Sequence, residues 1–323
     1  MKRFLAVLVM AGASVNGQTI TQTFGTGANQ FSIDFVEIGN PGNAPDTTGS
    51  PNSVGSVPYI YNLGKFEVSR DMVFKASTAG GLGLTLDAIS SYGGNGLNRP
   101  ATGVSWNEAA RFVNWLNISQ GYQAAYNFTT NGANDDITLW GAGQHSGTNP
   151  YRHKDAYYFL PSRDEWYKGA YGSLSGTWYD YSTGSNSLPL GVASGTVGGT
   201  AIFNQPSSTG PADVMNAGGV SAFGTMAQGG NVWEWMESAY YGINDLEDEI
   251  RELRGGSWDV YYDGNPYGLL SSDRDAGGFT TRESINIGFR VASVPEPSSI
   301  SLLLAGGAVL MAGRRKNRIR GQD

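Results

Sequence analysis

Within twelve positions, Ala227 to Ser238 (AQGGNVWEWMES), the chain places a Gly-Gly-Asn turn, two tryptophans and a carboxylate. The glycines ahead of Asn231 permit positive φ, and extended backbone beyond them sets Trp233 and Trp235 on one face and Glu234 on the other. Such a stretch is either a turn into a buried strand or a turn that presents one acid. A second group with chemical potential is the crowd of Asp259, Asp263, Asp273 and Asp275 around Arg274. Acid–base catalysis would need two of these carboxylates paired in a cleft. The plain alternative is solvated loop charges with Arg274 in a structural salt bridge. The only imidazoles, His145 and His153, lie in a polar stretch with no third partner. With Cys 0, disulfides, thiol nucleophiles, iron–sulfur clusters and zinc–thiolate sites are excluded.

The elements that must position these residues are short. Alternation in Phe31-Ser-Ile-Asp-Phe-Val-Glu-Ile38 predicts a strand with Phe31, Ile33 and Phe35 on one face, and Tyr59 to Val68 reads as a second strand. Residues 76–103 read as irregular. Ser105-Trp-Asn-Glu108 and Ser162-Arg-Asp-Glu165 are capping boxes, so a helix starts at each. In the first helix Trp106, Ala109, Ala110, Val113 and Leu116 share a face, with Arg111 and Asn114 opposite. In the second, Trp166 and Ala170 point inward. A surface excursion, 121–149, holds a short hairpin around Asp136 to Trp140. Residues 172–219 are rich in small polar residues, and Trp178, Tyr179, Tyr181 and Phe203 suggest that they are laid against the body by ring packing.

Three pieces, GNVWEW (230–235), RGGSW (254–258) and GFR (288–290), stand in an order that resembles the formylglycine-generating enzyme, or sulfatase-modifying-factor, family. The resemblance extends to Tyr61 to Ser69, Pro100 to Ala110 and Phe159 to Trp166, and covers roughly residues 30 to 292. It implies a single irregular, loop-rich α+β domain of C-type-lectin-like architecture, with two short amphipathic helices and short antiparallel strands. Members of the family oxidise a cysteine of a target sulfatase to formylglycine, using a cysteine pair that holds copper. The matching positions fall near Val260 and Asn265, so that centre cannot be built from this chain. Related sulfoxide synthases hold iron with histidines from an additional helical domain, which has no counterpart here, so neither copper nor iron is expected. The family's structural calcium carries over to the carbonyls of Gly230 and Val232 and the carboxylate of Glu234, hard oxygen ligands suited to that ion. Ala227 departs from the family pattern of Asp or Asn. The family's substrate groove maps to Trp258, Asp259, Tyr261, Asp273 and Arg274, a place for a peptide or glycan. The resemblance therefore implies a non-catalytic binding or structural module; the alternative is an oxidoreductase-type member with cysteine-independent chemistry.

The two ends differ from the body. Residues 1–17 pair Lys2 and Arg3 with a short apolar run and read as a secretory signal peptide, leaving 18–293 as the domain. Residues 294–323 combine Val294-Pro-Glu-Pro-Ser298, an apolar run over 300–313 and a basic tail. This layout resembles the PEP-CTERM signal that exosortase machinery processes in Gram-negative bacteria. It implies export to the envelope, surface or matrix and membrane contact through 300–313, a run short of the ~20 residues that span comfortably. Formal net charge is −7 with basic residues gathered at both ends, so the body is more acidic still, which argues against nucleic acid as a partner.

Overall fold

The alternating segment at Phe31 is half of a hairpin: β1 (Thr19–Phe24) pairs antiparallel with β2 (Phe31–Ile38) through a turn at residues 25–30. This computed structural model describes residues 19–130, 132, 133, 137–147, 149–241, 244, 246, 249–260, 268–274 and 276–295. The chain divides into two units, Met1–Ser293 and Val294–Asp323, and of the second only Val294 and Pro295 are described. The expected signal peptide over 1–17 and the apolar run over 300–313 lie outside the described residues. Among those described, no helix is long and apolar enough to cross a membrane.

After β3 (Tyr61–Gly64) come three helices, α1 (Arg70–Gly80), α2 (Trp106–Ser119) and α3 (Arg163–Tyr171). Both capping boxes close as the sequence requires, with Ser105 and Ser162 accepting from the N–H of Glu108 and Glu165 while those carboxylates bond back to the cap N–H groups. Helix α1 corrects the expectation of two helices. Its N-cap Ser69 accepts from Met72 N–H, but Met72 has no carboxylate to complete a capping box, so the start signal is half as strong. Burial of Val73 and Ala76 fixes the helix against the body.

Between α2 and α3 lie the two-residue strands β4 (Asn127–Phe128), β5 (Ile137–Thr138) and β6 (His145–Ser146), then β7 (Asn149–His153) and β8 (Tyr158–Phe159). β4 pairs with β5, forming the expected hairpin from a wider span than the residues around Asp136. Beyond α3 follow β9 (Leu190–Gly191), β10 (Thr200–Ala201), β11 (Trp233–Ala239), β12 (Arg251–Arg254), β13 (Gly277–Gly278), β14 (Ile287–Gly288) and β15 (Ala292–Ser293). One sheet has the order β1-β2-β3-β15-β8 and is antiparallel throughout; a second has the order β13-β12-β11-β14. The β11–β14 and β9–β10 pairs run parallel, a departure from an all-antiparallel reading.

With so little regular structure, rings fill the space between elements. Trp106, Trp166, Trp235 and Trp258 are essentially buried, and each fully buried side chain of this size contributes on the order of 1.5–3 kcal/mol. The long segment 172–219 is held in this way, Trp178 lying 5.5 Å from the Tyr167 ring and Phe203 almost wholly covered.

Candidate functional site

Strand β11 is where the motif residues meet. Gly230 has φ 92°, and a Cβ there would run into the Ile202 carbonyl, so the turn needs glycine. Asn231 follows at φ 60° and is fully buried; its Oδ1 accepts from Ala212 N–H at 2.8 Å, and its Nδ2 donates to Glu67 Oε2 at 2.5 Å. The strand is covered on both faces. Trp235 donates to the Val104 carbonyl at 3.0 Å on one side, while Glu234 enters a sealed polar chamber on the other.

In that chamber the Glu234 carboxylate receives Nε and Nη2 of Arg290, each at 2.5 Å, and Trp166 Nε1 at 2.7 Å. Arg290 also donates to the carbonyls of Gly64 and Met226 at 2.8 and 2.9 Å, and neither member of the pair has accessible surface. Glu67 completes the group, accepting from Asn231 and from Val232 N–H at 3.3 Å. Burial, and then the neighbouring Glu234 charge, push the Glu67 carboxyl well above the usual carboxylate range. The Arg290 charge opposes that lift without cancelling it, so Glu67 is inclined to hold a proton.

Gly230, Val232 and Glu234, the residues expected to hold calcium, are the ones this arrangement engages. The residues present do not fit the ion, because the Glu234 carboxylate already faces a cation, the Arg290 guanidinium. A dication on the same oxygens would meet that charge in a dry interior. Among the described residues, no three His, Cys, Asp or Glu side chains converge to hold a metal.

The groove expected from Trp258, Asp259, Tyr261, Asp273 and Arg274 is not assembled among the described residues. Trp258 is 1% exposed and packs against Tyr92, with ring centres 5.8 Å apart, so it belongs to the core. Asp259 is exposed and accepts from Ser257 and Asn286. Asp273 caps a loop by accepting from Gly268 N–H at 2.9 Å. Arg274 turns to Glu252, its Nε 3.6 Å from the carboxylate, and covers the Tyr240 ring at 4.6 Å. Tyr261, Asp263, Asn265 and Asp275 lie outside the described residues.

Two further charge clusters have no simple sequence signature. Glu252, fully buried, gathers Arg163, Arg254 and Arg274. Glu237 accepts from Tyr126 at 2.9 Å and Asn149 at 2.5 Å, and Arg152 bridges it to Glu165 at 3.2 and 3.4 Å. Burial lifts the Glu237 carboxyl, and Arg152 opposes that lift. Burial alone would lower the Arg152 guanidinium, but Glu165 and Glu237 outweigh it and hold the group above its ordinary value. Beside them Arg251 is sandwiched between Trp106 and Tyr151, 4.5 and 3.8 Å from the ring centres. Glu165, Glu237 and Glu252 are thus each tied to a guanidinium group.

A loop-rich α+β domain in which the carboxylate beyond a glycine turn meets a late arginine in the interior defines the class. The chain belongs to the sulfatase-modifying factor enzyme 1-like domain family, whose model matches residues 64–294. Residues 293–316 match the PEP-CTERM protein-sorting motif, the class of signal handled by exosortase machinery in export to the envelope of Gram-negative bacteria. No curated protein matches the chain in sequence. Among solved structures it is similar to Treponema denticola variable protein 1, at 18% identity and TM-score 0.57 over 85% of this chain and 99% of that one. CarF is similar at 18% identity and TM-score 0.55, covering 82% of this chain and 99% of CarF. PvdO from Pseudomonas aeruginosa is similar at 17% identity and TM-score 0.51, covering 88% and 100%. At these identities the likeness is one of fold.

Proposed function

We propose that this chain is an exported, surface- or matrix-directed member of its family that has given up the copper–thiolate oxidase chemistry and serves as a binding or structural module. The observation that carries the reading is Cys 0: no thiolate pair exists anywhere in the sequence to hold copper, and Val260 and Asn265 stand near the matching positions. The ion-pair clusters support it, because Glu234, Glu237 and Glu252 are each paired with a guanidinium and committed to holding loops together. The sorting motif directs such a module to the envelope, and its ligand is a peptide or glycan met there. Titration of the purified chain with copper(I) under reducing conditions tests this. The expected result is no stoichiometric high-affinity site, and one tightly held copper per chain would overturn the proposal.

A further inference from the structure

A cavity of about 350 Å³ opens beside α1, and its lining lies within the described residues. Phe31, Phe66, Met72, Val214 and Met215 make its apolar wall. Three carboxylates interrupt that wall, each from a different part of the chain: Asp34 from β2, Asp71 from α1, and Asp213 from just ahead of a single helical turn, Val214–Asn216. Lys75, one turn beyond Asp71 on α1, pairs with it at 2.7 Å. Lys65 lies over the Phe66 ring at 5.4 Å and is not part of the lining. Among the described residues no cation forms an ion pair with Asp34 or Asp213, so the cavity keeps two carboxylates without a counter-charge.

The parts that carry these groups are held from behind. The Asp34 carbonyl accepts from Lys65 N–H at 2.7 Å, and its carboxylate accepts from Thr21 Oγ1 at 2.7 Å. Val214 N–H donates to the Asn98 carbonyl at 2.9 Å, and Ala212 N–H to Asn231 Oδ1 at 2.8 Å, so the turn bearing Asp213 is tied to the buried motif. The Asp213 side chain makes no capping bond to that turn. Groups set before a ligand arrives lose little entropy on binding. Beyond the cavity mouth the apolar surface continues. The Asn216 carbonyl accepts from Gly195 N–H, and Gly218 N–H donates to the Gly195 carbonyl, both at 2.8 Å, which seats the turn against the segment joining β9 to β10. Met215, Leu190, Val197 and Val220 are all exposed there, Met215 by 61%. Exposed apolar residues gathered beside a cavity mark a surface for another chain.

We infer that this cavity receives a lysine side chain of a peptide partner. The inference deepens the binding-module reading above and rests on it. A lysine stem is a run of methylenes that packs along Met72, Val214 and Met215, and its ammonium supplies the charge that Asp34 and Asp213 lack. Carboxylates drawn from separate elements suit a compact ammonium with three donors better than the planar fork of arginine. The surroundings decide between a peptide and a free amine. A free diamine would fill the cavity and leave Leu190, Val197 and Val220 bare, whereas a peptide covers them with the apolar side chains next to its lysine. A neutral glycan brings no counter-charge.

The test is calorimetric titration of the full chain with the capped peptide Gly-Val-Leu-Lys-Leu-Val-Gly. Its norleucine counterpart keeps the stem without the ammonium, and cadaverine is the free amine. Saturable binding of the lysine peptide is expected, with the other two weaker by roughly tenfold. Asp213→Asn should weaken the lysine peptide roughly fivefold. Lys75→Met, which leaves Asp71 without its partner, should tighten it, and reads the same charge from the opposite side should Asp213→Asn disturb the turn. Val197→Ser should weaken the peptide and leave cadaverine unchanged. Asp155→Asn removes an equal charge outside the cavity and should change nothing. Equal affinity for the lysine and norleucine peptides, or a loss in Asp155→Asn as large as that in Asp213→Asn, would overturn the inference. Cadaverine binding as tightly as the peptide, or no saturable binding by the folded chain, would overturn it as well. The copper titration judges the underlying reading separately, so each of these failures leaves the loss of oxidase chemistry standing.

Discussion

Removing Arg290 is the sharpest perturbation of the motif turn. In Arg290→Met the Glu234 carboxylate keeps only Trp166 Nε1 as donor, and the carbonyls of Gly64 and Met226 lose theirs. The pair is wholly buried, so water cannot replace the guanidinium. Breaking a buried pair from one side costs about 3–5 kcal/mol, which for a domain of this size lowers Tm by roughly 6–20 °C. Glu234→Leu combined with Arg290→Met removes both charges, and the cycle should return a coupling of about 2 kcal/mol or more. The assay is urea unfolding followed by tryptophan fluorescence, with calorimetry for Tm. A loss below about 1 kcal/mol in Arg290→Met, or additive single variants, would refute the claim that this pair holds the turn. A calcium-dependent rise in wild-type Tm would refute it from another side, since a ligand at a hundred times its Kd adds about 2.7 kcal/mol. The account expects chelation to leave Tm unchanged.

Other expectations follow from the same geometry. Burial lowers the Lys168 ammonium to about 8, where it donates to the Asn40 carbonyl at 2.8 Å. Because the folded value lies below the unfolded one, the cost is fully present below pH 8 and fades as pH rises toward 10.5. Lys168→Met should therefore be the more stable protein at pH 7, by about 1 kcal/mol after allowing for the lost hydrogen bond to Asn40, with a Tm advantage that shrinks by pH 10. At Glu252 the Arg254 Nε lies at 2.6 Å and that side chain is 2% exposed, against 3.6 Å and 22% for Arg274. Arg254→Ala should cost about 3 kcal/mol and Arg274→Ala about 1 kcal/mol in urea unfolding, and equal losses would contradict the ranking. Arg274→Ala should also leave ligand binding intact, since that side chain serves Glu252.

What could be read from the chain in advance was what neighbouring residues decide. The capping boxes at Ser105 and Ser162 lie within four positions each, and both helices start there. The face of α2 containing Trp106, Ala109, Val113 and Leu116 is buried, with Arg111 and Asn114 turned outward, as spacing required. Helix α1 was hidden because its cap has no partner at Met72. The fate of Glu234 was hidden for a different reason. Its partner Arg290 lies 56 positions away and Trp166 lies 68, so only the fold reveals that a guanidinium stands before the carboxylate. The core position of Trp258 and the partner of Arg274 were hidden by the same distance effect. Arg274 answers Glu252, 22 residues earlier in the chain.

The central claim, that this family member has left oxidase chemistry, is tested most directly by turnover. The purified chain would be loaded with copper(I), supplied with oxygen and reductant, and incubated with a cysteine-containing sulfatase peptide, the peptide then being weighed by mass spectrometry. The account predicts a peptide of unchanged mass. Conversion of its cysteine to formylglycine would contradict the account, since a chain with Cys 0 would then perform the oxidation through residues assigned here to other roles.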